Sequence, residues 1–331
     1  MQKPYSSSFK NLRNIFDRNY EITKLYSDYL TLCPELITAE MINALTEDGS
    51  ISKEEALRAL VAEIFKLDFD NGIEDRILIR DYVNPSIRIL DRAKYENDPY
   101  YKNIKLKNVK DGAWEIRMEK YAPYRAVICD DLMINEDLSE IPPLGFFTEE
   151  FVFPAVLENG NEWMTLTPVD LDTCEEAIKE ARGKVVTFGL GLGYYAYMAS
   201  EKAEVDSVTV VEKSPQVINL FKKYILPQFT HPEKITVVEC DAFEYAEKTM
   251  PSENFDLAFV DTWRDASDGA PMYKKMKALE PLSENTKFMY WIERFLISRL
   301  RAIRFEELWE KVEKGEINEY DVFLKMLNSY L

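Results

Sequence analysis

The chain has 331 residues and a formal net charge of −18, with 41 lysine and arginine residues against 59 aspartate and glutamate residues. Hydrophobic residues make up 46% and aromatic residues 13%, which excludes a disordered chain and provides for about two domains. A surface this acidic repels phosphate backbones, so we expect no nucleic-acid partner. No apolar run is long enough for a bilayer and no signal peptide is visible, so we expect a cytoplasmic protein without membrane contact.

Histidine and cysteine are too sparse for most metal sites and for most nucleophilic triads. The single histidine, His231, precedes Pro232 in a predicted loop between a helix and a strand, so we expect it at the surface. The cysteines form no C-x-x-C pair and lie in apolar or mixed segments, which predicts free thiols. They are Cys33, Cys129, Cys174 and Cys240. The sequence predicts no metal ion.

Residues 1–98 have the pattern of a helical region. Apolar side chains recur at helical spacing within 22–29 and again within 57–64. Ser52 and Glu55 form the signature of a capping box in front of the second of these helices. We therefore predict an N-terminal helical region that ends near residue 98.

Residues 99–171 have the alternating pattern of β-strands. Apolar side chains within 114–118 alternate with charged ones, directly after an Asp-Gly turn signal at 111–112. A second predicted hairpin has strands at 151–157 and 163–167, joined by an Asn-Gly turn. The segment is therefore predicted to be a β-hairpin region.

The segment 172–331 alternates between predicted helices and strands. Strands rich in valine and phenylalanine separated by helices are typical of a parallel sheet that is covered on both faces. The predicted strands are 184–188, 207–211, 235–239, 255–260 and 287–291. The predicted helices between and before them are 173–181, 194–201, 215–226, 242–250 and about 272–279, and only helices follow Glu293. The predicted fold class is α/β: a doubly wound, mostly parallel, Rossmann-like sheet after a helical region and a hairpin region.

A glycine-rich turn follows the first strand of this segment. Gly189, Gly191 and Gly193 come directly after the apolar run 185–188, and a helix is predicted to begin at Tyr194. Glycine lets the backbone pass close to a ligand, and a helix N-terminus favours polar or anionic groups. This turn alone also suits dinucleotide binding or close packing.

Acidic residues follow the next three strands. Glu212 ends the second strand, Asp241 follows the third and precedes Ala242, and Asp261 follows the fourth. The carboxyl ends of parallel strands meet at one edge of a sheet, where open α/β sheets bind ligands. An acid after the second strand is placed to accept hydrogen bonds from ribose hydroxyls. We therefore expect one ligand site formed by all four strand ends.

Between 173 and 291 the ordered set of motifs resembles the class I S-adenosylmethionine-dependent methyltransferases. The resemblance implies that S-adenosyl-L-methionine is the cofactor, and that the three glycines lie under its methionine part. Tyr194 and Tyr195, at the predicted helix start, would cover this part or simply fill the core. The resemblance also places the ribose at Glu212, with Lys213 beside it.

The same resemblance assigns roles to the later strand ends. It places the adenine at Asp241 and Ala242, and Asp261 at the reacting centre. A dinucleotide enzyme would share the glycine turn and Glu212, whereas the turn at Asp241 favours the methyltransferases. Asp261 is the predicted catalytic base or orienting group; its alternative role is structural, bonding backbone amides at the strand end.

The pattern is most similar to the spermidine-synthase-like branch of this superfamily. Residues 212–218 resemble the second motif of that branch, and a hairpin at 153–167 precedes the core, as it does there. Two acids of that branch are missing, because Leu192 and Arg264 occupy their positions. Their loss argues against aminopropyl transfer.

Three further residues are weaker predictions for substrate contact. Trp263 would stack on a substrate or cofactor, or else pack in its loop. Thr165 and Thr167 lie where the spermidine-synthase-like branch holds its hairpin near the cofactor. No lysine or arginine occurs within 126–178, which holds thirteen acids, so we expect a neutral or cationic small-molecule substrate rather than a phosphorylated one.

The predicted function is therefore S-adenosylmethionine-dependent methyl transfer to a small molecule. Two alternatives stay open: a non-catalytic S-adenosylmethionine-binding or protein-interaction module, and an aminopropyltransferase of the spermidine synthase type. The N-terminal helical region would recognise substrate, form a homo-oligomer surface or act as scaffold, and the sequence does not decide between these roles.

Overall fold

The computed structural model describes residues 11–328, which form two compact units. Unit 1 comprises the described residues within Met1–Leu90, Tyr121–Glu150 and Arg294–Leu331, and unit 2 comprises Asp91–Lys120 and Phe151–Glu293. Both units are discontinuous in sequence. This division differs from the three consecutive segments drawn from the sequence, which remain a prediction.

The helices and strands are numbered in chain order. The helices are α1 Leu12–Leu32, α2 Ala39–Thr46, α3 Lys53–Ile64, α4 Ile73–Ile77, α5 Asn84–Ser86, α6 Arg92–Glu96, α7 Pro99–Asn103, α8 Pro168–Glu180, α9 Tyr194–Ser200, α10 Pro215–Leu220, α11 Ala242–Lys248, α12 Ala266–Lys277, α13 Glu293–Glu313 and α14 Glu319–Asn328. The strands are β1 Ile87–Leu90, β2 Val109–Asp111, β3 Trp114–Tyr121, β4 Ala126–Ile128, β5 Met133–Ile134, β6 Glu140–Ile141, β7 Leu144–Phe147, β8 Phe151–Glu158, β9 Asn161–Thr165, β10 Gly183–Phe188, β11 Val205–Glu212, β12 Ile235–Glu239, β13 Leu257–Val260 and β14 Lys287–Tyr290. Single π-helical turns occupy Leu78–Val83 and Phe221–Ile225, and 3₁₀ turns occupy Leu226–Gln228, Pro232–Lys234, Met250–Ser252 and Glu280–Ser283.

Unit 1 packs its helices around a small sheet in the order β1-β7-β4. The predicted capping box is present: Ser52 Oγ accepts a hydrogen bond from the Glu55 amide at 3.2 Å, and Glu55 Oε2 accepts one from the Ser52 amide at 2.7 Å. A buried ion pair joins Arg301 to Glu140 at 3.2 Å. The predicted helices at 22–29 and 57–64 lie within α1 and α3 and are confirmed.

Unit 2 is built on a five-stranded sheet in the order β12-β11-β10-β13-β14. Every pair of neighbouring strands in this sheet is parallel, with β10 at the centre between β11 and β13. The predicted parallel sheet in a mixed α/β fold is therefore confirmed. The order reverses beside β10, which creates the topological switch point at which such sheets bind ligands.

A second sheet of unit 2 has the order β2-β3-β8-β9. It contains both predicted hairpins, with β2 antiparallel to β3 and β8 antiparallel to β9. Asn159 and Gly160 connect β8 to β9 with positive φ angles of 52° and 82°, as a tight turn of this kind requires. Both hairpin predictions are confirmed.

Two helices of unit 2 begin earlier in the chain than the sequence-based boundaries. Helix α8 begins at Pro168 rather than Thr173, because Thr167 and Asp170 form a capping box. Helix α12 begins at Ala266 rather than near Met272, because Asp265 caps it. Within residues 11–328, no helix combines the length and the apolar composition needed to cross a membrane.

Candidate functional site

The glycine turn after β10 needs glycine at two of its three predicted positions. Gly189 has a φ of +97°, and a Cβ there would lie 1.8 Å from the carbonyl oxygen of Asp261. Gly193 has a φ of +77°, and a Cβ there would lie 2.5 Å from the ring of Phe221. Gly191, with a φ of +53°, would place a Cβ in open space. The turn is therefore closely packed at both ends and open in its middle.

Glu212, at the end of β11, connects the glycine turn to the segment after its own strand. Its Oε2 accepts a hydrogen bond from the Leu190 amide at 3.2 Å, and its Oε1 accepts one from the Ser214 amide at 2.8 Å. Each carboxylate oxygen has a second lone pair. The side chain is thus fixed by the backbone and can still accept hydrogen bonds from a ligand.

Asp241 caps the helix that follows β12. Its Oδ1 accepts hydrogen bonds from the amides of Phe243 at 2.9 Å and Glu244 at 3.2 Å. Asp241 is exposed, whereas Ala242 is buried. The cap aligns one carboxylate oxygen with the helix and leaves the other without a partner among the described residues.

Asp261 follows β13 at the switch point. Its backbone amide donates a hydrogen bond to the Phe188 carbonyl at 2.8 Å. None of the residues 11–328 donates a hydrogen bond to its partly buried carboxylate. Burial raises the pKa of Asp261 to about 8, and repulsion from the carboxylates of Asp170 and Glu212 contributes.

Asp170 lies in the first turn of α8, and its role in the site was not predicted. Its Oδ2 accepts hydrogen bonds from the Thr167 amide at 2.7 Å and from the Thr167 hydroxyl at 2.9 Å. Burial raises the pKa of Asp170 to about 6. Cys174, one turn later, is buried, and burial with the charges of Asp261 and Asp170 raises the pKa of its thiol. The Thr-x-x-Asp signature of a capping box marked this turn in the sequence.

Two tyrosines begin α9. The Tyr194 hydroxyl donates a hydrogen bond to Asp98 Oδ2 at 3.1 Å. The Tyr195 ring stacks on Phe259 with a centroid distance of 4.3 Å, and its buried hydroxyl has no partner among the described residues. The sequence singles out Tyr195 together with Tyr194, but it does not indicate which of the two hydroxyls lacks a partner.

Two cavities open at this edge of the sheet, and we call them cavity 1 and cavity 2. Cavity 1 has a volume of about 240 Å³, and cavity 2 has a volume of about 340 Å³, near the lower end of the range for small-molecule sites. Both cavities are lined by Gly189, Gly191, Asp261 and Trp263. Because they share these residues, they adjoin each other across the glycine turn.

The remaining predicted site residues divide between the two cavities and the surrounding structure. Cavity 1 is also lined by Tyr194 and Thr165. Cavity 2 is also lined by Glu212, Lys213, Asp241 and Ala242. Gly193 and Thr167 line neither cavity: Gly193 packs against Phe221, and Thr167 caps α8.

The two residues that depart from the spermidine-synthase-like pattern also lie here. Leu192 lines cavity 1 and is 4% exposed. Arg264 lines both cavities, but its side chain is 77% exposed, and its Nε atom lies 3.7 Å from Asp268 Oδ2. An apolar side chain therefore stands where that branch has an acid, and the guanidinium of Arg264 points largely to water.

No protein-family model matches this sequence, and no curated protein is similar to it in sequence. The structure is similar to the spermidine synthase from Thermotoga maritima, with 14% identity, a TM-score of 0.33, and coverage of 60% of this chain and 62% of that one. A putative O-methyltransferase from Klebsiella pneumoniae has 17% identity, a TM-score of 0.26, and coverage of 31% and 46%. A conserved hypothetical protein from Streptococcus pyogenes has 16% identity, a TM-score of 0.27, and coverage of 32% and 65%. The chain spans less than two thirds of the length of each of these proteins.

Proposed function

We propose that unit 2 binds S-adenosyl-L-methionine and transfers its methyl group to a small neutral or cationic molecule. One observation carries this proposal: residues at or just after the ends of four strands of one parallel sheet line two adjoining cavities at the switch point. These residues are Gly189, Gly191, Glu212, Asp241 and Asp261. Their order along the chain and their positions in the sheet match what the sequence resemblance implies for this cofactor.

The side chains around cavity 2 fit the nucleoside part of the cofactor. Glu212 has free lone pairs for the ribose hydroxyls, and Asp241 with Ala242 would hold the adenine. The buried Thr262 Oγ1 and Trp263 Nε1 atoms have no partner among residues 11–328, and both residues line this cavity. An unpaired buried polar group costs about 1–3 kcal/mol, so a polar ligand that pairs with them gains affinity.

The methionine part would lie along the glycine turn. Gly191 leaves open space beside the backbone, so a ligand can approach the turn closely there. Gly189 and Gly191 line both cavities, which places this stretch between the nucleoside site and cavity 1. Cavity 1 is therefore the acceptor site in this proposal.

When bound, S-adenosyl-L-methionine supplies an electrophilic methyl group. The protein then has to align the acceptor, exclude water and receive or hold a proton. Asp261 suits the last task, because a carboxyl with a pKa of about 8 exchanges protons near neutral pH. Its carboxylate bonds no backbone amide of the described residues, which favours the catalytic over the structural role. Trp263 and Thr165, which line cavity 1, would contact the acceptor.

The test combines binding with turnover. We expect calorimetry to detect S-adenosylmethionine and S-adenosylhomocysteine but not NAD. We expect a methyl-labelled cofactor to modify a neutral or cationic compound in a panel that also holds phosphorylated ones. Asp261→Asn should keep cofactor affinity and lose about 100-fold or more in turnover. The matched control is Glu175→Gln, which removes an exposed charge from α8 outside both cavities.

Three results would contradict the proposal in different ways. Binding of NAD without any response to the other two compounds would exclude the cofactor. Cofactor binding without turnover on the panel, together with a captured protein partner, would favour the non-catalytic module. Product from decarboxylated S-adenosylmethionine and putrescine alone would establish aminopropyl transfer in spite of Leu192.

A further inference from the structure

The lining of cavity 1 is acidic. Glu162, Asp170 and Asp261 contribute carboxylates, and Arg264 contributes the cationic side chain of the lining. Arg264 does not neutralise the interior, because its side chain is 77% exposed and lies near Asp268. A ligand in this cavity therefore meets acidic side chains in a region of reduced dielectric constant, and the field becomes more negative as Asp261 ionises.

The carboxylates of Asp170 and Asp261 have lone pairs that can accept hydrogen bonds from a ligand. Asp170 uses Oδ2 for the Thr167 amide and hydroxyl, as described above, and this cap fixes the position of its side chain. Asp261 accepts no hydrogen bond from any of residues 11–328. Both carboxylates also act on Cys174, since each contributes to the raised pKa of its thiol. The two acids line the same cavity from α8 and from the end of β13, and the charge of Asp170 contributes to the raised pKa of Asp261.

A second and independent feature indicates a polar ligand. Tyr195 lines the same cavity and is only 6% exposed, and its hydroxyl has no hydrogen-bond partner among the described residues. Leaving such a group unpaired costs free energy unless a ligand pairs with it. Tyr194 and Trp263 add aromatic surface to the lining, and aromatic faces attract cations.

We propose that Asp170 and Asp261 bind the ammonium group of a small primary or secondary amine in cavity 1, and that the Tyr195 hydroxyl pairs with a polar atom of this ligand. As the identity of the methyl acceptor, this inference rests on the proposed function: the bound ammonium would first give one proton to the Asp261 carboxylate, and the neutral amine nitrogen would then accept the methyl group, with S-adenosylhomocysteine as the leaving group. An N–H donor is required because both acids present acceptor oxygens, so a quaternary ammonium would leave Asp261 unpaired. A metal ion fits less well, since no group of three or more histidine, cysteine or acidic side chains within 11–328 has the arrangement of a metal site.

The proposal predicts that amine binding depends on pH. The titratable groups that act on Asp261 are Asp170 and Cys174 on α8 and Glu212 on β11. With a pKa of about 8, Asp261 is largely protonated at pH 6.5, and a cation must displace this proton. An alkylammonium ion, like the lysine side chain, remains charged up to about pH 10. Affinity should therefore rise about 20-fold between pH 6.5 and pH 8.5, with release of a proton.

The test uses calorimetry on the full chain with n-butylammonium chloride and, as a neutral isostere, n-butanol. We expect the ammonium ion to bind at least about tenfold more tightly than the alcohol. Asp170→Asn and Asp261→Asn should each weaken ammonium binding at least about tenfold, and Asp261→Asn should also abolish the pH dependence. Glu175→Gln should behave like the wild type. Asparagine at position 170 keeps an acceptor oxygen for Thr167, so the cap and the fold should survive.

Absence of ammonium binding, equal binding of the alcohol, or unchanged affinity in Asp170→Asn would overturn this inference. S-Adenosylmethionine binding is measured on the same samples. If the wild type binds S-adenosylmethionine and any of these results is obtained, only the amine site is refuted. If the wild type does not bind S-adenosylmethionine, the proposed function is refuted. The wild type should bind 4-amino-1-butanol more tightly than n-butylammonium, and Tyr195→Phe should lose this difference while it keeps its affinity for n-butylammonium. The same preference for 4-amino-1-butanol in Tyr195→Phe and in the wild type would refute the role of the hydroxyl.

Discussion

Gly189 and Asp261 are in direct backbone contact, because a β-carbon on Gly189 would lie 1.8 Å from the carbonyl oxygen of Asp261. The Asp261 amide also donates a hydrogen bond to the Phe188 carbonyl at 2.8 Å. These contacts fix the backbone of Asp261 relative to the glycine turn. The glycine turn and the end of β13 are therefore packed directly against each other at the edge of the sheet.

Gly189→Ala should be much more harmful than Gly191→Ala. Alanine at 189 meets backbone that cannot move away without disrupting the strand ends, and its φ is unfavourable. We expect a loss of about 3 kcal/mol or more in the free energy of unfolding for Gly189→Ala, against about 1 kcal/mol for Gly191→Ala. Urea denaturation measures both, and equal losses would contradict the close packing of Gly189 on Asp261.

Asp261 should make the protein less stable as the pH rises. Its folded-state pKa of about 8 lies above the unfolded value, so the folded state holds the proton more tightly. Its contribution to stability is complete below about pH 4 and is lost as the pH rises through about 8, by at most about 1.4 kcal/mol per pH unit.

Urea denaturation at pH 5, 6.5 and 8 tests this prediction. Asp261→Asn lacks the titrating group. The difference in the free energy of unfolding between this variant and the wild type should therefore shift in favour of the variant as the pH rises. Glu175→Gln serves as the control and should follow the wild type. Identical pH profiles for Asp261→Asn and the wild type would show that the pKa of Asp261 is not raised.

Two tyrosines on α9 give a matched pair. The Tyr195 hydroxyl is unpaired, whereas the Tyr197 hydroxyl accepts a hydrogen bond from Asn103 Nδ2 at 2.7 Å. We expect Tyr195→Phe to raise the free energy of unfolding by about 1 kcal/mol and Tyr197→Phe to lower it by about 1 kcal/mol. Equal destabilisation in thermal or urea melts would indicate that Tyr195 has a partner in the free protein.

Replacing only the cation of the buried ion pair in unit 1 should lower the free energy of unfolding strongly. Arg301 lies 3.2 Å from Glu140, and both residues are buried. Arg301→Met leaves the Glu140 carboxylate without its cation and should cost about 3–5 kcal/mol. The double variant Glu140→Gln/Arg301→Met should recover part of this loss. If the double variant is no more stable than Arg301→Met, the charge of Glu140 is not the cause.

The parallel sheet could be predicted because β10–β14 are apolar runs that alternate with predicted helices along the chain. Local patterns also predicted both hairpins and the capping box at Ser52. The start of α8 was misplaced because 163–167 was assigned as a strand and Pro168 was not recognised as the first helical residue. A proline at this position is typical of a helix start, so the signal was present.

The composition of the cavity walls was harder to predict. Asp170 enters cavity 1 because of how α8 is rotated, and a single sequence does not fix that rotation. The segment 126–178 without basic residues does contribute to the site, since Glu162 and Asp170 line cavity 1. Its residues 126–150, however, belong to unit 1. The long acidic segment is therefore divided between the two units.

The most direct test of the central claim is the binding of S-adenosylmethionine to Glu212→Gln. Glu239 is its partner in the register of β11 and β12, is exposed and lines neither cavity, so Glu239→Gln is the matched control. By calorimetry we predict equal affinity for the wild type and Glu239→Gln, and at least about tenfold weaker binding for Glu212→Gln, because hydrogen bonds to a charged group are lost. No binding to the wild type, or equal affinity in all three proteins, would contradict the assignment of this sheet edge as the cofactor site.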